Sequence, residues 1–247
     1  MAGGGKGFSK AVDLTRLDGR PIKNRIKKIG IELEGAWKFL PKGVNLEHDG
    51  SVTGFPDDIA RTTARGELPS PPLEIGEWKE WIKKFYPHHV NQSCGMHVHM
   101  SFGNAMTYQR IMDPSFPATI IAGVGKWAER ERFPMTHHIW QRIKGDSGYC
   151  QHKFYADEQV ATTRKDHDRQ RVGNRYTVIN YAYNRYGTAE CRLLPMMDTV
   201  DQAISAIEEL MAITNKYLVV TSVRERPLVA EARDDSGDIL EELRINV

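Results

Sequence analysis

The sequence predicts an α+β domain built on a curved antiparallel sheet of about six strands, with helices packed on the convex face of the sheet. Strand-like segments are concentrated before residue 103 and again between residues 176 and 194, and the longest helical patterns lie between or after them. Three of the strand-like segments alternate apolar residues with Glu, His or Arg. Such alternation is typical of a sheet with one packed face and one open face.

The segments assigned to strands are short runs of apolar and β-branched residues that end at turn signals or prolines. The predicted strands are 27–37, 44–48, 59–68, 95–102, 176–183 and 188–194, and a hairpin-like turn at 184–187 joins the last two. Helical periodicity predicts helices at 76–85, within 105–143, at 200–223 and at 228–243.

The chain is predicted to divide into a basic arm and one domain. Residues 1–26 are expected to be a flexible arm, and residues 27–247 to form a single domain. Within that domain we expect a helical insertion at 104–143 and a polar loop at 144–170. Long loops in compact domains often cover or bind ligands, so this loop is a candidate for substrate contact.

The charge of the chain is unevenly distributed. The net charge is +2, but residues 1–28 carry eight Lys or Arg against two Asp, so the remainder is net negative. A basic arm can contact nucleic acid or an acidic partner, although a solvated leader is the interpretation that we favour. The rest of the chain is not basic enough to indicate a nucleic-acid-binding fold.

The compartment is predicted from what the sequence lacks. No apolar run approaches the roughly 20 residues that cross a bilayer, and the N-terminal residues have no apolar signal core. The three cysteines, Cys94, Cys150 and Cys191, are too few and too scattered for a disulfide framework. We therefore expect a cytoplasmic protein with reduced thiols and no membrane contact.

The alternating segments contain the residue types that bind divalent cations. Because a strand has a period of two, polar residues two positions apart share one face, and the apolar residues between them share the other. A merely solvated face would usually carry Lys, Thr, Ser and Gln instead of Glu and His. The pairs are Glu32 and Glu34, His97 and His99, and Glu190 and Arg192.

Two further carboxylates, Glu67 and Glu74, flank the proline-rich bend at 69–72. Five glutamates with one or two histidines suit two or three Mg²⁺ or Mn²⁺ ions better than structural zinc, which prefers Cys and His. So many carboxylates would repel one another without cations. Metals that bridge the carboxylates to a polyphosphate would remove that repulsion.

Three arginines add anion-binding groups near the end of the predicted sheet. Arg171 and Arg175 precede the fifth strand, and Arg192 lies at the sixth. A guanidinium can bind phosphate or carboxylate through two parallel hydrogen bonds. Phosphate-loop spacing and a nucleophile elbow are both absent from the sequence.

This ordered set resembles the carboxylate–amine ligases of glutamine synthetase type. The segment Cys94-Gly-Met-His97-Val-His99-Met-Ser101 resembles the glutamine synthetase strand that carries a metal- and nucleotide-binding histidine. The order and the short length resemble the amidoligase family of bacteria and phages more than full-length glutamine synthetase, over about residues 28–222. The ordered set is Glu32-x-Glu34, Asp49-Gly-Ser51, Glu67-x-x-Ser70-Pro71, the His97/His99 segment, Arg175, Asn180 and Glu190-x-Arg192.

The resemblance implies a glutamine synthetase-like sheet that holds ATP and Mg²⁺ or Mn²⁺ on its concave face. It implies one metal held by Glu34, Glu67 and Glu74, and a second held by Glu32, His97 and Glu190. His97, His99, Ser101 and Arg192 would contact the nucleotide, and Arg192 and Arg175 would stabilise the transferring phosphoryl group. Asp49 is the candidate base for deprotonating the amine.

The implied reaction joins a small-molecule or peptide carboxylate to an amine through an acyl phosphate. The acid, the amine and the oligomeric state stay open. A two-metal hydrolase or phosphotransferase using the same Glu/His set is the alternative enzyme, and a catalytically inactive binding module is the alternative outside enzymology.

Overall fold

The computed structural model describes residues 25–161 and 175–224, and its strands form one open, fully antiparallel sheet. The strands are β1 (Ile26–Trp37), β2 (Ala64–Pro69), β3 (Leu73–Glu74), β4 (Met96–Phe102), β5 (Ile179–Ala182) and β6 (Thr188–Cys191). Their order across the sheet is β2-β1-β4-β6-β5, and β3 pairs with β1. The prediction of an α+β fold with an antiparallel sheet is therefore confirmed.

Eight helices lie within the described ranges. They are α1 (Asp57–Thr62), α2 (Trp78–Phe85), α3 (Ala105–Ile111), α4 (Ser115–Arg130), α5 (His138–Lys144), α6 (Ala156–Ala161), α7 (Tyr183–Tyr186) and α8 (Val200–Arg224). In this part of the chain, no helix combines the length and the apolar character needed to cross a membrane.

Strand β1 is the central element of the sheet because it pairs with three other strands. Its C-terminal half pairs with β2, its N-terminal half pairs with β3, and its other edge pairs with β4. Ile29, Ile31 and Leu33 of β1 are almost completely buried. Burying each such side chain contributes about 1.5–3 kcal/mol, so this face fixes which way the intervening polar residues point.

The core lies between the apolar face of the sheet and the long helices α4 and α8. Thr214 of α8 contacts Met100 Sδ of β4 at 3.7 Å. Trp127 of α4 donates its indole N–H to Ser205 of α8 at 3.0 Å, which ties the two helices together. Helices cover the apolar face at this point, and the polar face of the sheet is left to form the site.

Several predicted elements differ from the structure. Segment 44–48 is not a strand, because only Glu47 bridges to Glu67, and the sixth strand is β3. The first half of 59–68 lies partly in α1, where Asp57 and Asp58 in the first turn and Arg61 in the last turn match the helix dipole. The loop 144–170 contains α6, and the turn at 184–187 is the short helix α7, which Gly187 ends in a left-handed conformation.

Other predicted elements appear close to their expected bounds. Helix α2 starts two residues after the predicted start and buries Trp78 and Ile82 on one side. Helices α3, α4 and α5 divide the insertion at 104–143, and α8 matches the helix predicted at 200–223. The arm 1–26, except for Arg25 and Ile26, the helix at 228–243 and Arg171 lie outside the described residues.

Close packing between α4 and α8 leads to a stability prediction at two glycines. A Cβ atom at Gly123 would lie 2.4 Å from Ile213 Cδ1 and 2.8 Å from its Cγ1, whereas at Gly125 the nearest atom is Ile143 Cγ2 at 3.8 Å. We expect Gly123→Ala to destabilise the fold by about 1–2 kcal/mol through overpacking. Gly125→Ala should stabilise it by about 0.5–1 kcal/mol, the usual gain inside a helix.

Urea unfolding of the two variants and the wild type measures this difference. Equal effects of the two substitutions would contradict the helix contact described for Gly123, because their intrinsic helix propensities change by the same amount.

Candidate metal centre

Two carboxylates of β1 face polar side chains on both neighbouring strands. Glu34 is directly opposite Glu67 of β2, and Glu32 is directly opposite His97 of β4. Residues opposed in this way point to the same face, with Cβ atoms about 5 Å apart. The strand alternation seen in the sequence therefore brings these four side chains together on the face opposite the core.

The same face continues across β6 and β5. His99 lies opposite Glu190, and Glu190 lies opposite Asn180. Asn180 Nδ2 donates to one oxygen of Glu190 at 2.7 Å, and Arg192 Nη1 donates to the other. Although burial opposes ionisation of Glu190, the charges of Arg192 and His99 hold the pKa of this carboxyl below its ordinary value.

His97 lies at the centre of the cluster and is only 2% exposed. Its Nδ1 is 3.1 Å from Glu32 and 3.7 Å from Glu190, and its Nε2 is 3.6 Å from Glu34. One imidazole has two ring nitrogens and cannot hydrogen bond to three carboxylates at once. The single imidazole of His97 therefore lies among three carboxylates whose combined charge it cannot neutralise.

Glu32 is contacted by both histidines of β4. His99 Nε2 is 2.9 Å from Glu32 Oε1, and Thr188 Oγ1, 3.1 Å from His99 Nδ1, orients the ring from the other side. Burial opposes ionisation of Glu32, but the charge of His99 and hydrogen bonds from both rings hold its pKa well below the ordinary value. Burial likewise opposes the charged form of His99, and the nearby Glu32 nevertheless raises the pKa of the imidazole.

Glu34 is held by the backbone immediately before β4. The Gly95 N–H donates to Glu34 Oε2 at 2.5 Å. A Cβ atom at Gly95 would lie 2.7 Å from His97 Nε2 and 3.3 Å from Glu34 Oε2, so only glycine allows this approach. Burial raises the pKa of Glu34, and the neighbouring Asp49 adds to the effect.

Glu67 has the strongest unrelieved repulsion in the cluster. Burial and the charges of Glu32, Glu34, Asp49 and Glu190 raise its pKa to about 9. A proton on Glu67 relieves this repulsion in the absence of metal, and a divalent cation would relieve it more completely.

The cluster contains three overlapping groups of three side chains, and within each group the possible ligand atoms lie within 4.8 Å of one another. Carboxylate oxygens dominate each group, with no more than one imidazole, and this composition fits Mg²⁺ or Mn²⁺ better than a tetrahedral zinc site. The groups are Glu32, Glu67 and His97; Glu32, His99 and Glu190; and Glu34, Asp49 and Glu67.

Asp49 lies within the cluster, and Glu74 lies outside it. The bridge between Glu47 and Glu67 anchors the segment before Asp49 against β2, and Asp49 joins Glu34 and Glu67 in one group. Glu74, expected as a ligand, belongs to none of the groups among the described residues. Its carboxylate instead pairs with Lys28 Nζ at 2.9 Å, is 58% exposed, and lies on the short strand β3.

The other expected binding residues line two cavities on either side of the carboxylates. The larger cavity, about 400 Å³, is lined by Glu32, His99 and Ser101. The Ser101 hydroxyl is bonded to the backbone of Lys28, so it forms part of the wall of that cavity. The smaller cavity, about 40 Å³, is lined by Glu34, Asp49 and His97 together with Arg175 and Arg192.

Sequence reasoning missed Arg142, which also lines the smaller cavity. Arg142 is 5% exposed and lies on α5, three residues after the fully buried Ile139. Its Nη1 donates to the carbonyl oxygen of Arg192 at 2.8 Å. An arginine on the apolar side of a short helix is a signal that could have revealed it.

Comparison with known proteins found no match to this chain among protein-family models, curated proteins or solved structures.

The raised pKa of Glu67 predicts a pH-dependent stability of the metal-free protein. The pKa of Glu67 rises from 4.5 in the unfolded chain to about 9 in the folded protein. The favourable contribution of the protonated carboxyl to the free energy of unfolding is therefore complete below pH 4.5 and is lost as the pH rises through about 9. We expect Glu67→Gln to melt roughly 4–8 °C above the wild type at alkaline pH, as about 2 kcal/mol gives in a domain of this size. At weakly acid pH the difference should vanish.

Thermal melts with a chelator, followed by melts with Mg²⁺ or Mn²⁺, measure this effect. Added metal should remove the advantage of the variant, since the cation neutralises Glu67 in the wild type. Glu80→Gln on the exposed side of α2 is the matched control. An advantage for Glu67→Gln that does not change with pH would count against the repulsive cluster.

Proposed function

We propose that this protein is an ATP- and Mg²⁺-dependent carboxylate–amine ligase with a glutamine synthetase-like, amidoligase-type sheet. The observation that carries the proposal is the position of the carboxylate and imidazole cluster between two cavities of different chemistry. One cavity is large and is lined by β1 and β4, and the other is small and rich in arginine. In this proposal, the cluster lies on the concave face of the sheet and the helices on the convex face.

The larger cavity suits the nucleotide. Its volume of about 400 Å³ falls in the range of small-molecule sites. Gly30, which has no side chain, lines the cavity together with Tyr186, His99 and Ser101. Glu32 lines this cavity and also belongs to the cluster, so the phosphates of a nucleotide bound here would lie beside the carboxylates.

We propose two ligand sets, drawn from the three overlapping groups. Glu34 and Glu67 form the first set, with Asp49 in the place that the resemblance gave to Glu74. Glu32 and Glu190 form the second set, with His99 in one group and His97 within 3.7 Å of both carboxylates. A carboxylate bound to a cation is a poor base, so the geometry favours the ligand role of Asp49 over the base role.

The reaction would have two steps. An oxygen of the acid's carboxylate attacks the γ-phosphorus of ATP, the bond to the β-phosphate oxygen breaks, and ADP leaves. The amine, after its ammonium form loses a proton to solvent, then attacks the acyl carbon, the acyl C–O bond to the phosphoryl group breaks, inorganic phosphate leaves, and the nitrogen loses a second proton to solvent to give the amide. Mg²⁺ at the cluster would supply charge neutralisation on the phosphate oxygens. Arg192 and Arg175 would stabilise negative charge on the transferring phosphoryl group.

Activity should require ATP, Mg²⁺, an acid and an amine together. We expect ADP release from mixtures of amino acids and polyamines, with an amide product of matching mass. Replacement of Glu32, Glu34 or Glu190 by Gln should lower the rate by about 10²–10³-fold, as the loss of other transition-state electrostatic contacts does.

Two further glutamates serve as comparisons for that experiment. Glu80→Gln changes an exposed ion pair on α2 and should keep the full rate. Glu74→Gln should also keep it within a few-fold, because its carboxylate pairs with Lys28 outside the cluster. Metal-dependent hydrolysis of an amide or phosphoester without ATP would reject the ligase and favour a two-metal hydrolase.

A further inference from the structure

The smaller cavity is lined by three guanidinium groups that come from separate parts of the chain. Arg142 lies on α5, Arg175 precedes β5, and Arg192 follows β6. Arg142 and Arg192 are 5% and 8% exposed, which is unusual for arginine. Glu34 and Asp49 line the same cavity, so positive and negative groups share its wall.

Arg192 has hydrogen-bonding capacity that the described residues do not use. Its Nη1 donates to Glu190, but its buried Nε has no hydrogen-bond partner among the residues that the structure describes. Buried donors of folded proteins are nearly always paired with protein, water or a ligand. Because Arg192 also lines the smaller cavity, an acceptor bound there would meet a guanidinium that the described residues do not fully pair.

The guanidinium groups are held in place by contacts that leave them little freedom. Tyr176 packs near two of them, because its ring centroid is 5.0 Å from the Arg175 Cζ and 5.4 Å from the Arg192 Cζ. Arg142 Nη1 is fixed on the carbonyl of Arg192. Tyr149, whose ring is 6.0 Å from that of Tyr176, completes the wall and is 46% exposed. Such preorganised groups bind an anion without a large ordering cost.

The size of the cavity limits what it can hold. A water molecule needs roughly 10–15 Å³ of cavity volume, so this cavity of about 40 Å³ accommodates roughly three water-sized groups. That is room for one carboxylate group, and it is a tenth of the larger cavity's volume of about 400 Å³. The planar fork of arginine matches a carboxylate through two parallel hydrogen bonds.

We infer that this cavity is an oxyanion subsite that holds the carboxylate of the acid substrate, with Arg142 and Arg192 as its buried contacts. The inference rests on the proposed function and extends that function, because the cavity would select the acid substrate by a single carboxylate group. Inorganic phosphate carries the same oxyanion chemistry and, as the released product, competes with the acid for this cavity and not with ATP.

Binding of simple anions tests the subsite without any turnover. Melting temperatures are measured with sodium acetate, sodium phosphate and sodium chloride at equal ionic strength, with and without Mg²⁺. We expect acetate to raise the melting temperature of the wild type more than chloride does, because a ligand that binds only the folded state stabilises that state. Arg142→Lys and Arg175→Gln should weaken the apparent acetate affinity at least tenfold, as expected for charge-assisted hydrogen bonds.

Arg130→Gln is the matched control, because Arg130 forms a surface ion pair with Glu209 on α8. That variant should respond to acetate like the wild type. Arg175 is only half-buried, so its variant keeps the test valid even where Arg142→Lys fails to fold. Acetate no better than chloride, or an acetate response in both cavity variants equal to that of the wild type, would overturn the inference. Stabilisation by phosphate alone would overturn the assignment to the acid.

Steady-state kinetics separate this inference from the ligase itself. Phosphate should inhibit competitively against the acid and non-competitively against ATP. Anion binding that depends on the arginines but occurs without any ATP-dependent amide synthesis would reject the ligase and leave the subsite. Amide synthesis in which Arg142→Lys and Arg175→Gln leave the KM for the acid unchanged would reject the subsite and leave the ligase.

Discussion

The register between β1 and its neighbours is the constraint on which the site depends. Glu34 meets Glu67, and Glu32 meets His97, only because β1 is aligned with β2 and β4 at these positions. A shift of one residue would turn every polar side chain of β1 into the core and every apolar one out to the surface. The burial of Ile29, Ile31 and Leu33 therefore fixes the site as firmly as any contact made within it.

The charge in the cluster is balanced at one end and unbalanced at the other. Glu190 and Glu32 lie beside Arg192 and His99, and both have a lowered pKa despite their burial. At the other end, burial and mutual repulsion raise the pKa of Glu34 and of Glu67. The demand for a cation is thus greatest at Glu67 on β2, because burial and four neighbouring carboxylates raise its pKa.

The sequence predicted the parts of the site that follow from strand alternation, since a period of two is a local property. Glu32, Glu34, His97, His99 and Glu190 were found in this way and do share one face. The pattern of α5 could have marked Arg142 as unusual, but its place beside Arg192 and the position of Asp49 depend on long-range packing, through α5 and the bridge at Glu47. The helix α1 was missed since its start depends on charges and a proline that weakly outweigh strand propensity.

The hydrogen bond from Arg142 to the carbonyl of Arg192 joins the helices of segment 104–143 to the chemistry of the sheet. Those helices are therefore more than packing for the core, because one of them supplies a wall of the smaller cavity. A shortened version of the domain, reduced to its strands and the helix α8, would keep the carboxylate cluster but lose the wall of the smaller cavity that Arg142 supplies. Any reduced form meant to keep the proposed anion subsite would have to retain α5 or graft another guanidinium in its place.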